Sequence, residues 1–246
     1  MNVFLGTSLI WFGWFGFNGG SAIASSPRAA LAAMVTVLGS ATGGLFYCFL
    51  HFLTTKKWSL EKFCTGAVAG LVIITPASGY VAPWAALVMT ILGTVAVRAC
   101  INLKHHLGFD DTLDAFGIHG VGGVVGSILT GVFADSRIAS FDKSEIFGGW
   151  INNNYVQVWY QIVATISIAA YSFIISSVLL LAIDRIPGLN LRATENEENL
   201  GLDGTLIGEE AYLMNGSESQ MTHSSNGGKK AQDMLSVTHE SSQETV

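Results

Sequence analysis

The sequence predicts an all-α, polytopic membrane protein, and three observations carry that prediction. Half of the 246 residues are hydrophobic and only 12% are charged, against about 25% in an ordinary soluble domain. Six segments are apolar over the roughly 20 residues that a helix needs to cross a bilayer. They run over 3–24, 29–53, 63–80, 83–103, 113–134 and 158–186. The charges avoid these segments: Arg28 is the only charged residue among the first 55, whereas residues 192–246 hold ten of the eighteen acids. The expected organisation is a transmembrane domain over 1–191 and a polar, acidic tail over 192–246, disordered after about 213.

Each connector fits this division. Met1 leads directly into apolar sequence without a basic leader or a clear cleavage site, so the first segment reads as a span and not as a signal peptide. Ser25, Ser26, Pro27 and Arg28 form a tight turn with Pro27 at the start of the next helix. Residues 54–62 form a polar loop with Lys56, Lys57 and Lys62. Pro76, Gly79 and Pro83 mark a turn or a broken helix over 75–83. The segment 158–186 is the longest and is expected to tilt or to extend past the bilayer. Alternate connectors share a side of the membrane. One side collects Lys56, Lys57, Lys62, Arg98, Lys104, Arg185 and Arg192; the other has Arg28, Arg137 and Lys143. The more basic side is expected to be cytoplasmic, which puts both termini in the cytoplasm.

Several function classes are disfavoured. The net charge of −6 arises mostly in the tail and offers no surface for nucleic acid. Cys48, Cys64 and Cys100 are scattered through apolar segments without a CxxC pair, which points to plain packing and to no metal or cofactor. An intramembrane enzyme needs paired carboxylates, a Ser–His pair or a metal cluster at depth, and only His119 is clearly at depth.

His119 lies inside an apolar, glycine-rich helix containing Gly117, Gly120, Gly122, Gly123 and Gly126. So many small residues imply a helix packed closely among neighbours. An ionisable residue at this depth usually faces a cavity or a partner. A neutral imidazole has one donor and one acceptor, which can hand on a small hydrogen-bonding molecule or relay a proton. A bond to a neighbouring carbonyl is the equally good alternative. In WFGWFGFNGGS (residues 11–21), Trp14, Phe17, Asn18 and Ser21 fall on one helical face. Aromatic rings with a hydroxyl suit a cation; an interfacial aromatic belt accounts for the same residues without a ligand. Asp110, Asp111 and Asp114 precede the histidine helix and suit N-terminal capping.

These stretches resemble the Amt/Mep ammonium transporters. Residues 11–21 look like the family's aromatic Asn-Gly-Ser motif, and DDTLDAFGIHGVGGVVGSILTGVFA (110–134) closely resembles its Asp-rich, His-Gly helix. ITPASGY (74–80) and GLDGTLIGEEAY (201–212) are similar in kind, and LRATE (191–195) has a fungal flavour. The resemblance implies eleven transmembrane helices in two inverted five-helix halves plus a long last helix, assembled as a homotrimer with one apolar pore per subunit. It implies roles by position. Phe17 matches a gate phenylalanine, Ser21 the hydroxyl of the outer ammonium site, and His119 the second pore histidine. Asp114 and Thr75 match positions that support the pore, and Asn18 is taken with them. Trp14 joins the substrate pathway.

The implied function is transport. Ammonium is recruited by aromatics and a hydroxyl, and ammonia passes the histidine-lined apolar pore. The plasma membrane is the expected location. The matching helices begin at what resembles the family's sixth span. The expectation is therefore an incomplete copy, lacking the first pore histidine and the partner gate phenylalanine, that does not conduct on its own. The alternative is an ammonium sensor or regulatory subunit that signals through its tail, where residues 217–245 would suit phosphorylation. A Rh-type relative fits the histidine motif less well.

Overall fold

The computed structural model of the chain describes residues 1–108, 111–143 and 145–208. Asp110, Tyr212, and the tail expected to be disordered after about 213 lie outside them. Among the described residues the regular structure is helical and no strand forms. Six long elements follow in order: α1 (Asn2–Gly20), α2 (Pro27–Thr55), α3 (Leu60–Ile74), α4 (Pro83–Leu107), α5 (Gly122–Phe133) with a π-helical turn (Phe116–Val121) before it, and, after the short α6 (Ser136–Ala139), α7 (Val156–Asp184). Five are long and apolar enough to cross a membrane: Pro27–Thr55, Leu60–Ala77, Pro83–Lys104, Phe116–Phe133 and Val156–Asp184. The other expected span is α1, 19 residues long. Asn2, Thr7, Ser8, Asn18 and five glycines dilute its apolarity.

Helix ends follow local chemistry. Ser26 caps α2 by accepting from the Ala29 amide at 3.3 Å, with Pro27 in the first turn. Ser59 caps α3 in the same way through the Lys62 amide at 3.3 Å. Gly108, at φ +69°, ends α4 in the left-handed conformation that glycine adopts without a Cβ clash. Pro76 breaks α3, which passes into a single 3-10 turn (Thr75–Ala77).

The closest helix contact is between α2 and α3. A Cβ on Gly43 would fall on the Gly66 carbonyl oxygen, and one on Gly70 on the Gly39 carbonyl oxygen. Two glycines four residues apart on each helix thus let the backbones touch, the small-residue mode by which helices associate in lipid. Ser40 Oγ donates to the Ala67 carbonyl across this contact at 3.1 Å. Around it Val35, Ile74, Ala77, Val81, Ala85, Ala86 and Met89 form one buried cluster. Tyr47, Ala69, Val72, Ile73, Val97, Ile101 and Ile118 form another. The glycine run expected to bury the histidine helix does so on one side only. A Cβ on Gly126 would strike the Ile73 backbone, but one on Gly123 would meet nothing within 4 Å.

Connectors gather at two opposite ends, as alternation requires. At one end Arg98 reaches Thr54 Oγ1 at 3.2 Å and lies over the Tyr47 ring. At the other, Arg28 pairs with Asp142 at 2.8 Å, and the Asp135 amide donates to the Tyr80 carbonyl at 2.8 Å. The hydrogen-bonding Arg137 side chain holds the buried Asp135 carboxyl below the usual carboxylate range.

The chain divides into two compact units, with the division between Ile174 and Ile175. It runs through α7, which has no buried residue, and so precedes the change of composition at 191. The described part of the second unit ends the long helix and adds α8 (Glu195–Leu200). A capping box between Thr194 and Glu197 starts α8, and the Thr194 bonds hold the Glu197 carboxyl low.

Gly43→Val is expected to destabilise the protein by about 3 kcal/mol, because the side chain has only backbone to displace. Gly123→Ala is expected to leave stability nearly unchanged. Thermal unfolding of both variants in detergent checks the contrast.

Candidate functional site

The site grows from three neighbouring structures: the end of α1, the 3-10 turn after α3, and the π-turn before α5. Thr75 is their junction. Its hydroxyl donates to the Leu71 carbonyl at 2.7 Å, a bond to its own helix. The same oxygen accepts from Trp14 Nε1 at 2.8 Å and from Asn18 Nδ2 at 3.4 Å. Asn18 Nδ2 also donates to Thr36 Oγ1 at 2.9 Å, and Thr36 donates to the Ala32 carbonyl at 2.7 Å. Asn18 and Thr36 are buried, so these bonds offset desolvation that would otherwise be costly. The network fixes α1 against α2 and α3. The Phe17 ring then packs edge-on against Trp14, with centroids 5.7 Å apart and planes at 73°.

Two cavities flank this junction. The outer one, ≈ 200 Å³, is lined by Phe17, Asn18, Ser21, Arg28, Thr75, Ser78 and Tyr80 among others. The inner one, ≈ 570 Å³, is lined by Trp14, Phe17, Thr75, Pro76, His119, Gly123, Ser127 and one face of α7. Phe17 and Thr75 belong to both walls. The face expected to carry Trp14, Phe17, Asn18 and Ser21 together is therefore shared between two spaces: Ser21 and Asn18 face the outer, Trp14 the inner, and Phe17 both.

The outer cavity has a directional polarity. Ser21 Oγ donates to the Phe17 carbonyl at 2.6 Å, and Ser78 Oγ to the Thr75 carbonyl at 3.0 Å. With their protons committed, these hydroxyls offer lone pairs only. At these two positions the wall accepts hydrogen bonds, which suits a donor-rich cation.

His119 is presented by the π-turn Phe116–Val121. π-helical turns are rare and often occur at functional positions. The imidazole reaches the inner cavity and has no hydrogen-bonding partner among the described residues. The alternative bond to a neighbouring carbonyl is not made there. The turn is started by Asp111, whose carboxylate accepts from the Ala115 and Phe116 amides at 2.9 Å each. Asp114 does not cap. It sits at φ +56°, off the helix, and pairs with Lys104 from the end of α4. Lys104 and the outer-cavity residues Arg28, Ser78 and Tyr80 were not singled out from sequence. Arg28 had one signal, its isolation as the lone charge of the first 55 residues.

No group of three or more His, Cys, Asp or Glu side chains with metal-binding geometry occurs among the described residues. Thr75→Val is expected to lower stability by about 1–3 kcal/mol, because Trp14 Nε1 loses its acceptor inside an apolar wall. Thr75→Ser is expected to retain the network. Detergent melting curves of the two variants distinguish these outcomes.

Residues 1–212 match the Ammonium Transporter Family. Ammonium transporter 1 of Schizosaccharomyces pombe is 50% identical over 213 residues, which cover 86% of this chain and 43% of that protein. The crystal structure of Saccharomyces cerevisiae Mep2 is 41% identical with a TM-score of 0.77, over 85% of this chain and 48% of that one. A structure described as "Sensor Amt Protein" is 28% identical with a TM-score of 0.67. The chain spans about 43% of the length of the curated relatives it matches. These relatives are transporters, not enzymes. With its membrane-crossing helices and its match over residues 1–212, this multi-pass membrane protein belongs to the Ammonium Transporter Family.

Proposed function

We propose that this chain forms one wall of a pathway for ammonium and ammonia, the other wall coming from the part of the family fold beyond the stretch it spans. The observation that carries this is the pair of cavities sharing Phe17 and Thr75, with hydroxyl acceptors at one end and an unpartnered imidazole at the other. Ammonium donates to Ser21 Oγ in the outer cavity beside the Phe17 ring, where aromatic and hydroxyl contacts replace part of its hydration. Carrying the bare cation onward past apolar side chains is costly. Transfer of one proton from ammonium to water at the outer cavity leaves neutral ammonia, which can cross the inner cavity and meet His119 as donor or acceptor. Trp14, Asn18, Thr75 and Asp114 hold these groups in place.

The complete assembly is proposed to be a homotrimer in the plasma membrane with the C-terminus in the cytoplasm. The cluster of Lys56, Lys57, Lys62, Arg98 and Lys104 at one end of the helices supports that orientation.

A second reading is an ammonium sensor. Its support is the likeness to the structure described as "Sensor Amt Protein". The two readings separate in one experiment. The variants are made in the chromosomal gene, in cells with other ammonium uptake removed, and growth on low ammonium and uptake of labelled methylammonium are measured. Under the transport proposal His119→Ala lowers uptake about three- to tenfold, the range expected when one hydrogen bond to the passing ammonia is lost. Uptake unchanged by His119→Ala at equal protein amount sinks the pathway. Loss of an ammonium response without loss of uptake supports the sensor.

A further inference from the structure

Arg28 occupies an unfavourable place for a cation. It lies in the first turn of α2, where free amides give the helix a partial positive charge. Local helix energetics would select an acid there. The surroundings nevertheless hold the guanidinium on two sides and leave room for its stem. Asp142, at the end of the 3-10 turn Ser140–Asp142, pairs with it at 2.8 Å, the two side chains being only 15% and 14% exposed. The Tyr80 ring lies beneath it, 5.3 Å from the guanidinium carbon to the ring centroid. Gly79, at φ +82°, leaves room for its stem, since a Cβ there would lie 3.2 Å from Arg28 Cγ.

The same Arg28 side chain lines the outer cavity with Ser21 and Phe17, and Asp142 pairs with it beside that wall. An unneutralised cation in that wall would repel an incoming cation; an unneutralised Asp142 carboxylate would attract any cation. Paired, they leave hydrogen bonding and the aromatic ring to decide what is held.

We propose that the Arg28–Asp142 ion pair is a specificity determinant of the outer cavity: it keeps the wall near electroneutral, so that capture depends on hydrogen-bond donation to Ser21 and not on net charge. This rests on the pathway proposed above.

The test uses Arg28→Gln, Asp142→Asn and the double variant in the chromosomal gene, with other ammonium uptake removed. Initial rates of methylammonium uptake are measured against concentration and normalised to protein in the membrane. Asp142→Asn is expected to raise KM about three- to tenfold with Vmax per protein little changed, and the effect shrinks as external salt rises. Arg28→Gln is expected to lower KM and to make uptake sensitive to competing potassium. The double variant is expected to return both properties to within about twofold of the parent.

A fall in Vmax or protein amount with KM unchanged, not restored in the double variant, overturns the proposal, because it marks a pair that only joins two connectors. If the parent shows no uptake, the pathway fails, and a second measurement decides this proposal. Methylammonium binding is then read from the thermal shift of the purified full protein. Dissociation constants in the order Arg28→Gln, parent, Asp142→Asn, from tightest to weakest, uphold the specificity role without transport. Any other order overturns it as well.

Discussion

The backbone contact between α2 and α3 is the constraint from which the site follows. With no side chains at Gly39, Gly43, Gly66 and Gly70, the two helices close to touching distance. Thr36 of α2 and Thr75 beyond the end of α3 thereby come within reach of one Asn18 amide. That amide, with the Trp14 indole, anchors α1. A spacer of even one methyl group between α2 and α3 would separate the two threonines and leave a buried amide donor seeking a partner. The helix packing and the polar junction are therefore one object, although none of these glycines lines either cavity.

The hydroxyls divide their labour in a way that apolar surroundings impose. Thr36, Thr75, Thr90 and Thr130 each donate to the carbonyl four residues earlier. In a bilayer an unsatisfied donor is costly, and the helix's own carbonyl is the nearest acceptor. What remains outward is lone-pair density. The acceptor character of the outer cavity at Ser21 and Ser78 is thus a by-product of the same local bonding that satisfies these four threonines.

The six apolar segments were legible because length and hydropathy are local properties, and the turn residues Ser26, Pro27 and Gly108 state their own roles. His119 and the face of Trp14, Phe17, Asn18 and Ser21 stood out for a related reason: polar or aromatic side chains in apolar runs are conspicuous. The rest was hidden by being long-range. Nothing near Arg28 in sequence announces Asp142, and nothing near Asp114 announces Lys104. The split of the α1 face between two cavities depends on where α3 ends, which α1 does not encode. Gly126 and Gly123 look identical in sequence, yet one meets backbone and the other open space.

The π-turn at Phe116–Val121 acts as a vernier within one rod. Below it, Gly126 is locked in phase against the Ile73 backbone; above it, Asp111 and the Lys104–Asp114 pair fix the entry of the chain. The wider turn lies between these two anchors, and His119 sits inside it. Removing a single residue there would rewind the turn toward α-helix and rotate the imidazole by about 100°, one residue's step around an α-helix, while both anchors stayed in place. At this point the chain's length in whole residues, more than the identity of any one of them, sets where the imidazole points.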